Sequence, residues 1–147
     1  MQRVDGQPGA PGRCATWNLT GRPGTLGLAR GHARAFLEAG TPAPATSALQ
    51  DALVVVAELV SNAVRHAPGP CVLELSQDGE LLRVSVSDTS SSPPVPRPAD
   101  LTAGGGGFGW HLLHSLADRV EVHPHGGPGK TVTAVLSLRP GLPGPPG

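Results

Sequence analysis

The chain has 147 residues, and its 11 lysine and arginine residues balance its 11 aspartate and glutamate residues. This length is that of one ordinary domain, and a formal charge of zero gives no electrostatic reason to expect nucleic acid or an anionic membrane as a partner. The sequence contains neither a run of eighteen apolar residues nor a hydrophobic signal core near its start. We therefore expect a soluble, cytoplasmic protein.

The two cysteines, Cys14 and Cys71, stand alone in apolar, strand-like contexts. Neither belongs to a CxxC motif or to a cysteine and histidine spacing typical of zinc sites. In a reducing cytosol they are most simply buried thiols.

Hydrophobic periodicity and turn residues predict a disordered arm (residues 1–12), a single domain (residues 13–138) and a disordered tail (residues 139–147). In chain order the predicted elements are the strand Cys14–Leu19, the helices Thr25–Ala39 and Thr46–His66, the strands Cys71–Ser76 and Leu81–Ser87, the helix Phe108–Arg119, and the strands Val120–His123 and Thr131–Leu138. Residues 89–107 contain four prolines and four glycines, so they are predicted to form a long functional loop.

Hairpin connections predominate in this order, and Asp78-Gly79 is the expected turn dipeptide between the second and third predicted strands, residues 71–76 and 81–87. No strand–helix–strand repeat occurs. The pattern therefore predicts an α+β fold, a two-layer sandwich in which helices cover one face of a mixed, mostly antiparallel sheet.

Glu58 and Asn62 are the first candidates for chemistry. They stand four residues apart at the margin of the apolar stripe of the long predicted helix, so their side chains lie on one edge of it. A carboxylate there can accept a proton from a hydroxyl group, and an amide oxygen can bind magnesium. The alternative is a solvated pair without chemistry.

Asp88 and the run Gly104–Gly107 extend this candidate site. Asp88 follows a predicted strand, and the glycines precede a predicted helix. Glycine lets the backbone approach a ligand closely, and the free N–H groups at a helix start bind phosphate. Taken singly, Asp88 is equally well a turn residue and the glycines a flexible linker.

Together these motifs resemble the histidine-kinase-like ATPase superfamily (the Bergerat ATP-binding fold). Glu58-Leu59-Val60-Ser61-Asn62-Ala63 resembles its N-box, Asp88 its first glycine-box aspartate, Gly104–Gly109 its second glycine box, and Gly129-Lys130-Thr131-Val132 the segment that closes the adenine pocket. The resemblance covers roughly residues 13 to 138. The short length is most similar to the anti-sigma-factor serine/threonine kinase branch of bacteria.

The resemblance implies ATP and Mg²⁺ as ligands and a role for each site residue. Asp88 would accept a hydrogen bond from the adenine amino group, with Thr131 nearby, and Asn62 would ligate magnesium. Glu58 would be the catalytic base. The triphosphate would lie against Gly104, Gly105, Gly106, Gly107, Phe108 and Gly109. Arg65 and His66 would either face the phosphates or cap the helix.

One departure from the family pattern keeps a second function open. The family's Asp-x-Gly-x-Gly is here Asp88-Thr89-Ser90-Ser91-Ser92, without either glycine. The first hypothesis is a kinase that transfers the γ-phosphate of ATP to a serine of an anti-sigma antagonist. The second is an interaction module that binds ATP or no nucleotide and sequesters a sigma factor or another partner. A water-directed ATPase is a third hypothesis, and a homodimer is open in each case.

Overall fold

The computed structural model describes residues 12–40, 42–66, 69–88 and 106–138, without the side chains of residues 66 and 106–109. Its elements are β1 (Arg13–Leu19), α1 (Thr25–Glu38), α2 (Thr46–His66), β2 (Cys71–Asp78), β3 (Leu81–Asp88), α3 (Gly106–Leu116), β4 (Arg119–Pro124) and β5 (Lys130–Ser137). The predicted arm except Gly12, the predicted loop up to residue 105, and the predicted tail lie outside the described residues.

The five strands form one sheet in the order β1-β2-β3-β5-β4. Every pairing between them is antiparallel, so the sheet is not mixed as the sequence led us to expect. The predicted α+β sandwich with helices on one face is otherwise confirmed. Alternate residues of β2 and β3 are buried, because successive side chains of a strand point to opposite faces.

The long helix α2 is the centre of the helical layer. It contacts α1 on one side and α3 on the other, and it packs against β2, β3 and β5. Its fully buried side chains include Val55, Val56, Leu59 and Val60. By length and composition the segment Thr46–Arg65 also fits a membrane span, with a mean hydropathy of 1.3, but this apolar stripe packs on the sheet as part of the core.

Three local predictions require correction: the burial of Cys14, the bounds of one helix and the position of one hairpin loop. Cys14 is exposed, because it lies on the edge strand β1, whereas Cys71 is buried as predicted. The helix predicted over Phe108–Arg119 begins at Gly106 and ends at Leu116, and Arg119 already belongs to β4. The hairpin loop is Gly79-Glu80 and not Asp78-Gly79, because Asp78 still pairs with Leu81. Only the glycine of this loop has a positive φ, 63°, which is the pattern of a type II′ turn.

The turn between β1 and α1 depends on one glycine. Gly21 has a φ of 81°, and a Cβ atom at this position would lie 2.2 Å from the backbone oxygen of Gly69. The backbone before α1 therefore runs directly against the backbone that joins α2 to β2. Only a residue without a side chain fits there.

Candidate functional site

Asp88 and Lys130 lie opposite each other at one end of the sheet. Asp88 is the last residue of β3, and its register partner Lys130 is the first residue of β5. The preceding pairs on the same face, Val86 with Val132 and Val84 with Ala134, are buried in the core. The two side chains therefore point into the helical layer and not to the open face of the sheet.

The C-terminus of α2 and the N-terminus of α3 lie toward the same end of the sandwich. A short connection joins the end of α2 to the start of β2, where Val72 pairs with Ser87 of β3. The C-terminus of α3 lies at the opposite end of the sandwich from Lys130. There the N–H group of Asp118 donates a hydrogen bond to the carbonyl of Val135, near the end of β5. The last residue of α3, Leu116, lines a cavity with residues at the start of α2, and α3 packs along α2. Because α3 is roughly 16 Å long, we infer that its N-terminus extends toward the end that carries Asp88 and Lys130.

Asp88 and Lys130 form a buried ion pair. The Nζ atom of Lys130 donates hydrogen bonds to both carboxylate oxygens of Asp88, at 2.9 and 3.2 Å. The two side chains are only 2% and 3% exposed. Cys71 directly precedes Val72, which pairs with Ser87, so Cys71 lies beside Asp88 in the sheet. Burial and the negative charge of Asp88 both raise the pKa of the Cys71 thiol.

Lys130 is the residue that sequence reasoning missed, and Thr131 is the residue that it misplaced. The hydroxyl of Thr131 lies on the open face, within 2.7 Å of Ser87 Oγ and 2.7 Å of His125 Nε2. Adjacent residues of a strand point to opposite faces, so Thr131 does not lie near the carboxylate of Asp88. The sequence did contain a sign of this: Lys130 is two and four residues from the apolar Val132 and Ala134, so the strand pattern places it on their buried face.

Glu58 and Asn62 are half-buried on the flank of α2 that faces away from α1. Val60 and Val64 line a cavity with the turn before α1, and Asn62 points roughly 160° away from Val60 around the helix. Glu58 lies one turn before Asn62 on the same edge. Both polar side chains therefore point away from the turn before α1.

Arg65 follows Glu58 by seven residues and Asn62 by three, so it lies close to their edge of α2. Its guanidinium group donates a hydrogen bond to Ser61 Oγ at 3.3 Å, and both residues line the cavity of about 440 Å³ between α2 and the residues Gly21 to Leu26. Arg65 thus lies between the edge that carries Glu58 and Asn62 and this cavity. The side chain of His66 lies outside the described part of the structure.

The glycine run is described in part. Gly104 and Gly105 lie outside the described residues, whereas Gly106, Gly107, Phe108 and Gly109 form the first residues of α3. The first four N–H groups of a helix have no partner within the helix, and the partial positive charge there favours anions. This start of α3 lies at the Asp88 end of the sandwich and is therefore placed to hold phosphate groups.

The donor set fits magnesium held chiefly by a nucleotide. Among the described residues there is no group of three or more His, Cys, Asp or Glu side chains that could hold a metal ion. Mg²⁺ usually keeps several water molecules and takes one or two protein oxygens together with substrate phosphates. The amide oxygen of Asn62 is a ligand of that kind.

An antiparallel sheet covered on one face by three helices, with an acidic strand end and a helix N-terminus at the same end, defines an ATPase-type nucleotide domain. Comparison with protein families agrees: the profile of the histidine kinase-like ATPase domain matches residues 19–136. The chain therefore belongs to the histidine kinase-like ATPase family.

Comparison with solved structures gave 11 matching chains. One is the crystal structure of the RsbU and RsbW domains of Rv1364c from Mycobacterium tuberculosis, with a TM-score of 0.61 and 20% sequence identity. The match covers 90% of the present chain and 36% of that chain, and at this identity it shows a shared fold. The comparison with curated proteins gave no match.

Proposed function

We propose that the chain is a Mg-ATP-binding regulatory protein of the cytoplasm that transfers the γ-phosphate of ATP to a serine of a partner protein, as in anti-sigma-factor kinases. The observation that carries the proposal is the convergence of Asp88, the flank of α2 with Glu58 and Asn62, and the N-terminus of α3 at one end of the sandwich. The structural likeness to a protein whose described part includes an RsbW domain supports the regulatory class.

Each residue has a distinct task in this proposal. Asp88 accepts a hydrogen bond from the adenine amino group, which guanine cannot donate because it carries a carbonyl oxygen at that position. The N–H groups at the start of α3, together with the glycines before it, hold the phosphates. Glu58 accepts the proton of the serine hydroxyl group as it attacks phosphorus.

Asn62 would hold the magnesium ion. The ion supplies charge neutralisation at the phosphate oxygens when it is bound. The other charge compensation comes from the N-terminus of α3. Lys130, the only lysine of the chain, is paired with Asp88 and does not belong to the loop of residues 89–105.

The nucleotide site is tested by isothermal titration of the purified protein with ATP, with and without Mg²⁺, and with GTP. We expect binding of ATP that requires magnesium and little binding of GTP. Asp88→Ala should abolish binding, and Asn62→Ala should remove its dependence on magnesium. Gln50→Ala is a matched control on the same helix, because Gln50 is exposed about three turns before Asn62. Equal affinity for ATP and GTP would contradict the assigned role of Asp88.

Phosphate transfer is tested separately. The protein is incubated with γ-labelled ATP and an extract of the cells that carry its gene, and labelled phosphoserine is identified by mass spectrometry. Glu58→Ala should retain ATP affinity and lose transfer, because the variant keeps the nucleotide contacts and lacks the base. Undiminished labelling by this variant would remove Glu58 from the mechanism.

A second function is favoured by the sequence after Asp88. Without the two glycines of the family pattern, the backbone there approaches a nucleotide less closely. The protein would then bind a sigma factor or its antagonist without turnover. A stoichiometric complex that forms equally with and without ATP would support this function. Light scattering of the free protein decides whether it acts as a homodimer.

A further inference from the structure

Lys130 has a role at the base pocket that the family resemblance did not assign. We infer that Lys130 reads the adenine ring directly: its ammonium group donates a hydrogen bond to N1 of adenine while the adjacent carboxylate of Asp88 accepts one from the 6-amino group. This inference rests on the proposed ATP site. It adds a specificity-determining residue to that site.

The ammonium group has the capacity for this contact. A lysine ammonium carries three N–H donors, and the two bonds to Asp88 use two of them. Among the described residues Asp88 is its only hydrogen-bond partner. A third donor therefore remains for an acceptor that arrives with the ligand.

The pair also matches the edge of the base. A donor and an acceptor stand 2.9 Å apart at the end of the sheet, as Lys130 Nζ and Asp88 Oδ2. Adenine presents the complementary arrangement on neighbouring positions, an amino donor at position 6 and an acceptor at N1. In the same orientation guanine presents a carbonyl oxygen to Asp88 and an N–H group to Lys130, so that both contacts become repulsive.

A purely structural role explains this lysine poorly. The next residues of β5 on the same face, Val132, Ala134 and Leu136, are all apolar and buried. Replacing a buried ion pair with apolar residues of similar volume is often neutral or stabilising, because removing two charges from water is costly. A buried ammonium group at the end of this apolar row is accounted for when it also contacts a ligand.

The wild-type protein is titrated with ATP, with 1-deaza-ATP, which lacks N1, and with purine riboside triphosphate, which lacks the 6-amino group. We expect each analogue to bind roughly tenfold or more weakly than ATP, since each loses a hydrogen bond to a charged group. In Lys130→Met, ATP and 1-deaza-ATP should bind with the same affinity. Thr133→Val, on the same strand but on the open face, should keep the wild-type ratio.

A second measurement does not depend on the folding of a variant. Lys130 is the only lysine, so labelling with ¹⁵N-lysine gives one side-chain ammonium signal in the untagged protein. ATP should shift this signal strongly, and 1-deaza-ATP at saturation should shift it much less.

The outcomes separate this inference from the function on which it rests. Equal affinity for ATP and 1-deaza-ATP in the wild-type protein overturns the role of Lys130 and leaves the ATP site intact. A ratio that persists in a folded Lys130→Met variant, or an ammonium signal that ATP does not move, overturns it as well. Absence of binding by all three nucleotides overturns the proposed function and this inference together.

Discussion

Breaking the ion pair between Lys130 and Asp88 should destabilise the fold strongly even without a ligand. The perturbation is Lys130→Met, which keeps most of the aliphatic stem and removes the ammonium group. The carboxylate of Asp88 then stays buried, at 2% side-chain exposure, without the two hydrogen bonds that it accepts from Lys130. A buried charge that loses its partner is costly because water cannot replace that partner.

The magnitude follows from this burial. Removing one partner of a buried ion pair typically costs about 3–5 kcal/mol of unfolding free energy. For a domain of this size, such a loss lowers Tm by roughly 10–20 °C. The exposed pair Arg34–Glu38 provides the matched comparison: its side chains are 54% and 53% exposed and stand four residues apart on α1. Arg34→Met should cost no more than about 0.5 kcal/mol.

The assay is a double-mutant cycle, with urea unfolding followed by circular dichroism. Lys130→Met and Asp88→Leu are measured singly and together. Each single variant leaves one buried charge, whereas the double variant leaves none and should be more stable than either. Additive losses in the double variant, or a cost for Lys130→Met as small as that for Arg34→Met, would refute the assignment of a buried, coupled pair.

Three further predictions concern other parts of the chain. Gly21→Ala should destabilise the protein by about 2 kcal/mol or more, because the new Cβ would meet the backbone of Gly69 and the φ of Gly21 is positive. Gly27→Ala should instead stabilise the protein by about 0.5–1 kcal/mol, because Gly27 lies in a helix and nothing lies within 4 Å of the new Cβ. Urea unfolding compares the two variants, and equal effects would count against the described turn. The hydrogen bond from His123 and the charge of Arg119 lower the pKa of Glu121. The Glu121 carboxylate therefore adds stability at neutral pH, and this stability is lost as the pH falls through its folded-state pKa. The difference in Tm between Glu121→Gln and wild type should disappear in acid, and a difference independent of pH would argue against the ion pair. Finally, Cys71 is 3% exposed, and burial and the charge of Asp88 raise the pKa of its thiol. Iodoacetamide should therefore modify Cys71 slowly in the folded protein and rapidly in urea, as measured by mass spectrometry. Rapid labelling of the folded protein would contradict the buried position of Cys71.

Much of the fold follows from short-range patterns in the sequence. The apolar period of α2 and the alternation of β2 and β3 predicted these elements to within one or two residues, because each buries one face and the burial imposes the period. The helical period alone also placed Glu58 and Asn62 on one edge of α2, and in the structure both are half-buried there.

The pairing of Asp88 could not be read in the same way. A shift of one residue in the start of β5 moves every side chain of that strand to the other face, and Lys130 and Thr131 stand side by side in the sequence. The family resemblance implied Thr131 as the neighbour of Asp88. The register, in which Asp88 lies opposite Lys130, assigns that place to Lys130 instead.

The sequence by itself determined the α+β class, the positions of the helices and most strands, and the common edge of Glu58 and Asn62, since all of these depend on residues close together in the chain. Only the tertiary structure decided which residue faces Asp88, and which face of the sheet carries the hydroxyl of Thr131. These features depend on the pairing of strands that are distant in sequence. Asp88 and Lys130 are 42 residues apart, and only the antiparallel register of β3 and β5 places their charges in contact.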